Sequence, residues 1–391
     1  MFEGRDGAMI KVGVIGIGNI SAAHLGAYQS FSDRAEVVAL CDIIDGKAQA
    51  GAERFGLAAT CYPDHRSLLA DAGVDLVSIC TPPGTHAEIA IDALNGGCNV
   101  LVEKPMAPGL DECDAMIAAQ RSSGKMLSVV AQNRFRTEMM RLHDLLAQGA
   151  IGKVLHAQVE SLWWRGHSYY DLWWRGTWES EGGGCTLNHA VHHVDLLLWM
   201  MGAPSDVRAV MANVAHDNSE VEDLSTILLR FASGALGQLT CSVVHHGQEQ
   251  KLVFQGERAK IAAPYSCYAS TSLANGFPER DEAFEAELTA RYDEIAPLAH
   301  EGHAGQIDDV LRALETGGTP LIDGIQGRQT IELINAIYKA AITDETVRLP
   351  LAGDDPFATQ QGLLERAPHF YEKSASVAGF SDNRITTVGN Y

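Results

Sequence analysis

Between residues 10 and 131, short apolar runs alternate with amphipathic stretches, and this alternation constrains the fold more than any other feature. KVGVIG, EVVALCD, DLVSICT, NVLVEKP and MLSVVAQ are apolar on both faces, as parallel strands covered by helices on either side must be. The intervening AEIAIDALNGG and LDECDAMIAAQRSSG end in glycine, a helix C-terminal signal. Such alternation predicts a doubly wound parallel α/β sheet.

From about residue 154 the texture changes. VLHAQVESLWW, SDVRAVMANVAH, LSTILLRFA, ALGQLTCSVV and QKLVFQG read as longer strands separated by turn residues. One helix is expected among them, roughly over 187–201, and two more near 303–315 and 325–342. The fold class is therefore α/β: an N-terminal Rossmann doubly wound parallel sheet plus a C-terminal α/β domain with a large open, mostly antiparallel sheet. The expected division is 9–133, 134–350, and an irregular tail or partner-wrapping arm over 351–391.

Composition narrows the function classes. The 50 acidic and 29 basic residues give a net charge of −21, which excludes a surface that tracks nucleic-acid phosphates. It leaves room for one nucleotide, because backbone N–H groups bind phosphate without basic side chains. No run of eighteen apolar residues occurs, and the polar MFEGRDGAM start lacks a signal core, so neither membrane nor secretion is expected. The 8 cysteines are scattered without a CxxC pair, as in a reduced cytoplasm.

GVIGIGNIS places Gly13, Gly16 and Gly18 at the first strand–helix junction, with Asn19 and Ile20 leading into the helix. Glycine lets the chain turn tightly and approach a pyrophosphate resting on the helix N-terminus. The third position of the fingerprint is Ser21 or Ala22, small enough for helix–strand packing. The second strand ends in Asp42, placed to hydrogen-bond ribose hydroxyls and to repel the 2′-phosphate of NADP. NAD is the expected cofactor, although Lys47 lies close enough to offset part of that repulsion.

TPPGTH (81–86), EKP (103–105), QNR (132–134) and GGGCTLNHAVHHVDLLLWMMG (182–202) follow in order. Together with GVIGIGNIS they resemble the glucose–fructose oxidoreductase / inositol dehydrogenase / MocA family, from about residue 10 to 350. The resemblance implies oxidation of a secondary hydroxyl of a sugar, glycoside or inositol-like polyol. It also implies a homodimer or homotetramer assembled through the C-terminal sheet. Lys104 matches the family's EKP lysine, with Glu103 beside it at the cofactor and Pro105 in a cis bond. Thr81, Pro82 and His86 are placed against the cofactor, and Arg134 is the polar candidate for a substrate contact. His192 matches the family's helix histidine, whose near-neutral pKa suits proton removal from a hydroxyl. Where the family commonly carries Asp four residues earlier, this chain has Asn188. Asn cannot act as a base; at that spacing it shares a helix face with His192 and can orient a substrate hydroxyl. His189 and His193 have a metal-compatible spacing but no evident third ligand, so no metal is expected.

Five of the six tryptophans fall in SLWWRGHSYYDLWWRGTWESEGGG, with Arg165, His167, Asp171 and Arg175 among them. Trp173 and Trp174 are expected at the substrate, as part of an aromatic wall suited to a carbohydrate face. Core packing and a subunit contact are the competing uses. An NAD-dependent glycosidase and a non-catalytic NAD-binding regulator are the alternative functions. Net NADH production on free sugars separates the first from a dehydrogenase, and the presence of both Lys104 and His192 speaks against the second.

Overall fold

The computed structural model describes residues 9–377 and 379–380. The polar start of the chain (1–8) and the end of the tail (381–391) lie outside the described residues. The described residues fall into two compact units: one up to 135 together with 298–331, and one of 136–297 together with the residues from 332 on.

The first unit carries six strands: β1 (Ile10–Ile15), β2 (Ala35–Cys41), β3 (Thr60–Tyr62), β4 (Leu76–Ile79), β5 (Asn99–Val102) and β6 (Leu127–Val129). They form a parallel sheet in the order β3-β2-β1-β4-β5-β6. The order reverses between β1 and β4, the switch point at whose C-terminal edge such sheets bind ligands. Val12, Val14, Leu76, Val100 and Val102 are fully buried, which explains the double-sided apolar character of these runs. β3 escaped the sequence reading because TCY is short and half-buried, with no apolar run.

The contiguous division expected at 133/134 needs correction. Residues 298–331 return to the first unit, and the boundary at 331/332 falls inside the helix Gly324–Thr343. The helix Gly302–Thr316 supplies Ile307, Val310, Leu311 and Ala313 to one core cluster with Val12, Val14, Leu25 and Tyr28. Arg34 fixes its register through Asp308 (2.6 Å) and Glu315 (2.8 Å).

The second unit is built on nine strands: β7 (Val154–Leu162), β8 (Asp206–Ala212), β9 (Leu224–Arg230), β10 (Leu236–Ser242), β11 (Gln250–Gly256), β12 (Ala259–Ala263), β13 (Ser266–Ser272), β14 (Pro278–Arg280) and β15 (Val347–Arg348). Their order is β14-β13-β12-β11-β7-β10-β9-β8-β15, antiparallel except where β7 meets β10. Alternation is strict in β9: Ser225, Ile227 and Leu229 face inward while Thr226, Leu228 and Arg230 are exposed. Burying Ile227, Leu239 and Phe254 completely contributes about 1.5–3 kcal/mol each. β12 to β15 and the helix Glu282–Glu294 are additions to the sequence reading.

The expected single helix over 187–201 is instead two helices, Cys185–Asn188 and Val191–Met201. Among the described residues, no helix is long and apolar enough to cross a membrane. The eight cysteines are free thiols.

Candidate active site

The glycine turn of the first unit has the form a dinucleotide needs. Gly16 adopts φ +90°, and a Cβ there would sit 2.8 Å from the Cys80 carbonyl, so only glycine fits. Above Gly18 there is open space: a Cβ would meet nothing within 4 Å. The following helix, Ser21–Ser30, begins at Ile20 with no side-chain cap and no acidic residue in its first turn. Its leading N–H groups are thereby left for an anion such as a pyrophosphate. Asn19 is exposed beside them, and Ser21 is folded in, donating to the Gly18 carbonyl at 2.7 Å. Asp42 accepts from the Ile17 N–H at 2.8 Å and from Ile44 N–H at 2.9 Å. It therefore holds the turn in shape, with Lys47 3.6 Å away. These features fit the adenosine and pyrophosphate portions of NAD.

β5 delivers Glu103 and Lys104 at its C-terminal end, and the Lys104–Pro105 bond is cis. Glu103 lies deeper than a cofactor contact was expected to lie. Its buried carboxylate takes His24 Nε2 at 2.9 Å and His303 Nε2 at 3.2 Å on one oxygen, and the Lys104 N–H at 3.1 Å on the other. Burial opposes its charge, but the hydrogen bonds from the two histidines prevail and hold the carboxyl well below its usual range. The chain of contacts continues from His24 Nδ1 to Ser78 Oγ (3.3 Å) and on to Tyr28 (2.7 Å). His24 and His303 were missed in the sequence, since each reads as an ordinary helix histidine and they meet only through the fold.

His86, expected against the cofactor, is turned inward instead. It is neither a surface residue nor open to a ligand, because both ring nitrogens face backbone carbonyls: Pro105 O at 2.9 Å and Thr81 O at 2.8 Å. Burial lowers its pKa against these contacts. The ring ties the Thr81–Pro82 turn to the EKP turn, so it shapes that edge from behind. Thr81 and Pro82 are half-buried there. Arg134, expected at a substrate hydroxyl, is instead buried, only 2% exposed.

In the second unit, the Gly182–Gly184 run leads into the two short helices. A Cβ on Gly183 would collide with the Tyr338 hydroxyl, and one on Gly184 with the Glu222 carbonyl. The Glu222 carboxylate caps the first helix, accepting from Gly184 N–H (2.9 Å) and Thr186 N–H (3.0 Å). Asn188 ends that helix, and its amide donates to the Gly183 carbonyl at 2.7 Å. Asn188 and His192 therefore occupy different helices, and the shared helix face expected for them does not exist. His192 is half-buried on the second helix, whereas neighbouring His193 is buried and its pKa is brought down to about 4 by that burial and by Arg136.

The aromatic segment divides between uses. Trp178 and Tyr170 are 1% exposed and belong to the core; Trp178 Nε1 donates to Pro368 O. Trp164 and Trp173 are exposed, and Trp174 stacks at 3.9 Å under Arg175. Tyr169 reaches His189 Nε2 at 3.2 Å, three residues before His192. The stretch expected to be an irregular tail or partner-wrapping arm pins this segment of its own chain. Lys373 Nζ donates to the carbonyls of Tyr170 (2.6 Å), Leu172 (3.0 Å) and Arg175 (2.8 Å).

Comparison with known proteins agrees with both units. A family model described as "Oxidoreductase family, NAD-binding Rossmann fold" matches residues 10–131, and one described as "GFO/IDH/MocA C-terminal domain" matches 139–262. Myo-inositol 2-dehydrogenase of Thermotoga maritima is 24% identical over 347 residues, spanning 87% of this chain and 98% of its own. D-glucoside 3-dehydrogenase of Escherichia coli K12 is 25% identical over 360 residues, spanning 87% and 97%. The WlbA dehydrogenase of Bordetella pertussis, solved with NADH and UDP-GlcNAcA, superposes with a TM-score of 0.77 at 30% identity, over 89% of this chain and 100% of that one.

Proposed function

The chain belongs to the GFO/IDH/MocA oxidoreductase family, and on that premise we propose that it oxidises a secondary hydroxyl of a sugar, glycoside or inositol-like polyol, with Lys104 and His192 acting on the substrate oxygen. It is an NAD-binding oxidoreductase. The observation that carries the finer reading is Lys104, set at the C-terminal end of β5 in the sheet that also presents the glycine turn. Relatives named for inositol and glucoside oxidation, and a solved relative holding a nucleotide sugar, support the substrate class.

Oxidation removes a hydride from carbon and a proton from its oxygen, leaving a carbonyl. NAD, when bound, supplies the hydride acceptor. His192 takes the hydroxyl proton, and the Lys104 ammonium stabilises the charge that develops on oxygen as the proton leaves. Glu103, clamped by His24 and His303, fixes the backbone from which Lys104 extends.

General-base catalysis contributes about 10²–10⁴-fold, and an electrostatic donor about 10²–10³-fold. Lys104→Ala and His192→Ala are each expected to lower kcat by at least about a hundredfold. The double variant should fall well short of the product, because groups serving one oxygen act as a unit. NADH titration should give near-native affinity in all three variants. A His192→Ala enzyme with native turnover and an unchanged pH profile would remove His192 from this role.

A further inference from the structure

Arg165 stands two residues beyond Trp163, where β7 leaves the large sheet. The residue is half-buried, yet among the described residues no carboxylate lies within ion-pair distance of its guanidinium. Its Nη1 donates to the Trp164 carbonyl at 2.7 Å and to Gln248 Oε1 at 3.2 Å, both neutral acceptors. The neighbouring Arg175 is handled in the opposite way, paired with buried Glu181 at 2.6 Å.

Two further features mark the place as built. The guanidinium lies over Trp163 (5.4 Å) and Tyr169 (5.5 Å), which fix the plane of its fork. Its partner Gln248 is buried and holds φ at +52°, a left-handed conformation that a residue with a side chain adopts at a cost. Tyr169 and Trp163 both pack against His189, whose Nε2 meets the Tyr169 hydroxyl at 3.2 Å. The guanidinium thus shares one aromatic cluster with the segment that enters the His192 helix. In a chain of net charge −21, a fixed and unneutralised guanidinium is a local exception that favours an anion there.

We propose that Arg165 receives a negatively charged substituent, a carboxylate or a phosphate, on the carbohydrate substrate, so that the enzyme prefers acidic sugars to neutral ones. This rests on the reading of the chain as a carbohydrate dehydrogenase. Arg165 would be a specificity residue, distinct from the groups that act on the reacting oxygen. Its planar donors suit the bidentate acceptance that carboxylate and phosphate oxygens allow.

The test is calorimetric titration of the NADH-loaded full chain with D-glucose, D-glucuronate and D-glucose 6-phosphate. Charge-assisted recognition predicts that at least one of the two anions binds about tenfold or more tighter than glucose at low salt. Which anion gains identifies the carboxylate or the phosphate as the preferred group. The advantage should shrink as ionic strength rises. Arg165→Leu should bring the anion-to-glucose ratio to about one, while Arg165→Lys should retain part of it. Unaltered NADH affinity in both variants would show that the fold is intact. Equal binding of all three sugars to the native protein would overturn the proposal, as would an unchanged ratio in Arg165→Leu. Tight binding and turnover of neutral polyols without acidic ones would overturn it while leaving the dehydrogenase reading in place. Failure of every sugar to bind would count against both.

Discussion

Glu222 is the group on which the segment leading to His192 turns. Its carboxylate is buried, takes two backbone N–H groups at the head of the helix Cys185–Asn188, and accepts the Tyr338 hydroxyl at 3.0 Å. Burial pushes its pKa up to about 7 despite those donors. The folded state thus holds its proton at pH values where the unfolded chain has released it. Stability from this group is present at acidic pH and is lost as pH rises from about 4.5 towards 7. Relative to Glu222→Gln, which does not titrate, the native protein should lose about 2–3 kcal/mol between pH 5 and pH 8. Urea unfolding of both proteins at the two pH values measures this; a gap that stays constant would mean the carboxyl is already ionised at pH 5. The three glycines ahead of this helix were visible in the sequence, but their cause was not, because Glu222 and Tyr338 lie far along the chain. Lys104 and His192 could be named as candidates from ordered motifs. The pairing of Asn188 with His192 failed for a local reason: the Ala190 N–H bonds back to the Cys185 carbonyl, five residues earlier, and the helix ends and restarts there.

At the scale of elements, the aromatic segment and the C-terminal strap form one structure. Beyond the three carbonyls that Lys373 gathers, Trp173 N–H donates to Val377 O and Val377 N–H to Asp171 O, and Phe370 N–H donates to Glu220 O. A segment with this few regular backbone bonds is ordered by whatever satisfies its carbonyls. Lys373→Ala leaves carbonyls unmatched; stranding one buried acceptor costs about 1–3 kcal/mol. The expected outcome is an aromatic segment that loosens, with KM for the carbohydrate raised about tenfold, as a loss of roughly 1.4 kcal/mol would produce, and NADH affinity unchanged. Steady-state kinetics beside amide exchange of residues 169–178 checks both halves. Native KM in Lys373→Ala would reduce the strap to a passive tail. The tail's polar, aperiodic sequence could not announce this role, since its partners are backbone carbonyls, which no side-chain pattern encodes. The strands β13 and β14 were hidden for a related reason: they form the largely exposed end of the sheet, with β14 at its edge, and lack apolar alternation. Strands at the centre of either sheet were legible because burial dictates their composition.

At the scale of the whole chain, the Rossmann unit could be read up to its sixth strand but not to its end. The helix Gly302–Thr316 is amphipathic in sequence, and nothing in its pattern says which sheet its apolar face will cover. The large sheet leaves a comparable question open at its outer face, and there the residues themselves argue. Cross-strand pairing aligns Leu228 between Arg208 and Gln238, and Leu236 between Arg230 and His156. Val210, Leu228 and Leu236 are 63%, 59% and 53% exposed on adjacent strands. Apolar side chains collected on one open face are what an association site would use, so a contact between copies of the chain is expected there. The family resemblance already pointed to assembly through this sheet. Leu228→Glu would set like charges against each other across a two-fold contact, a juxtaposition that costs several kcal/mol. The native protein is expected to sediment as a dimer or tetramer, and Leu228→Glu to sediment as a smaller species at the same concentration. Leu229→Glu is no substitute for this test, because Leu229 faces the core and its loss would unfold the sheet. A native protein that sediments as a monomer across the micromolar range would leave this face without a partner of its own kind, and an unchanged mass for Leu228→Glu would move the interface elsewhere.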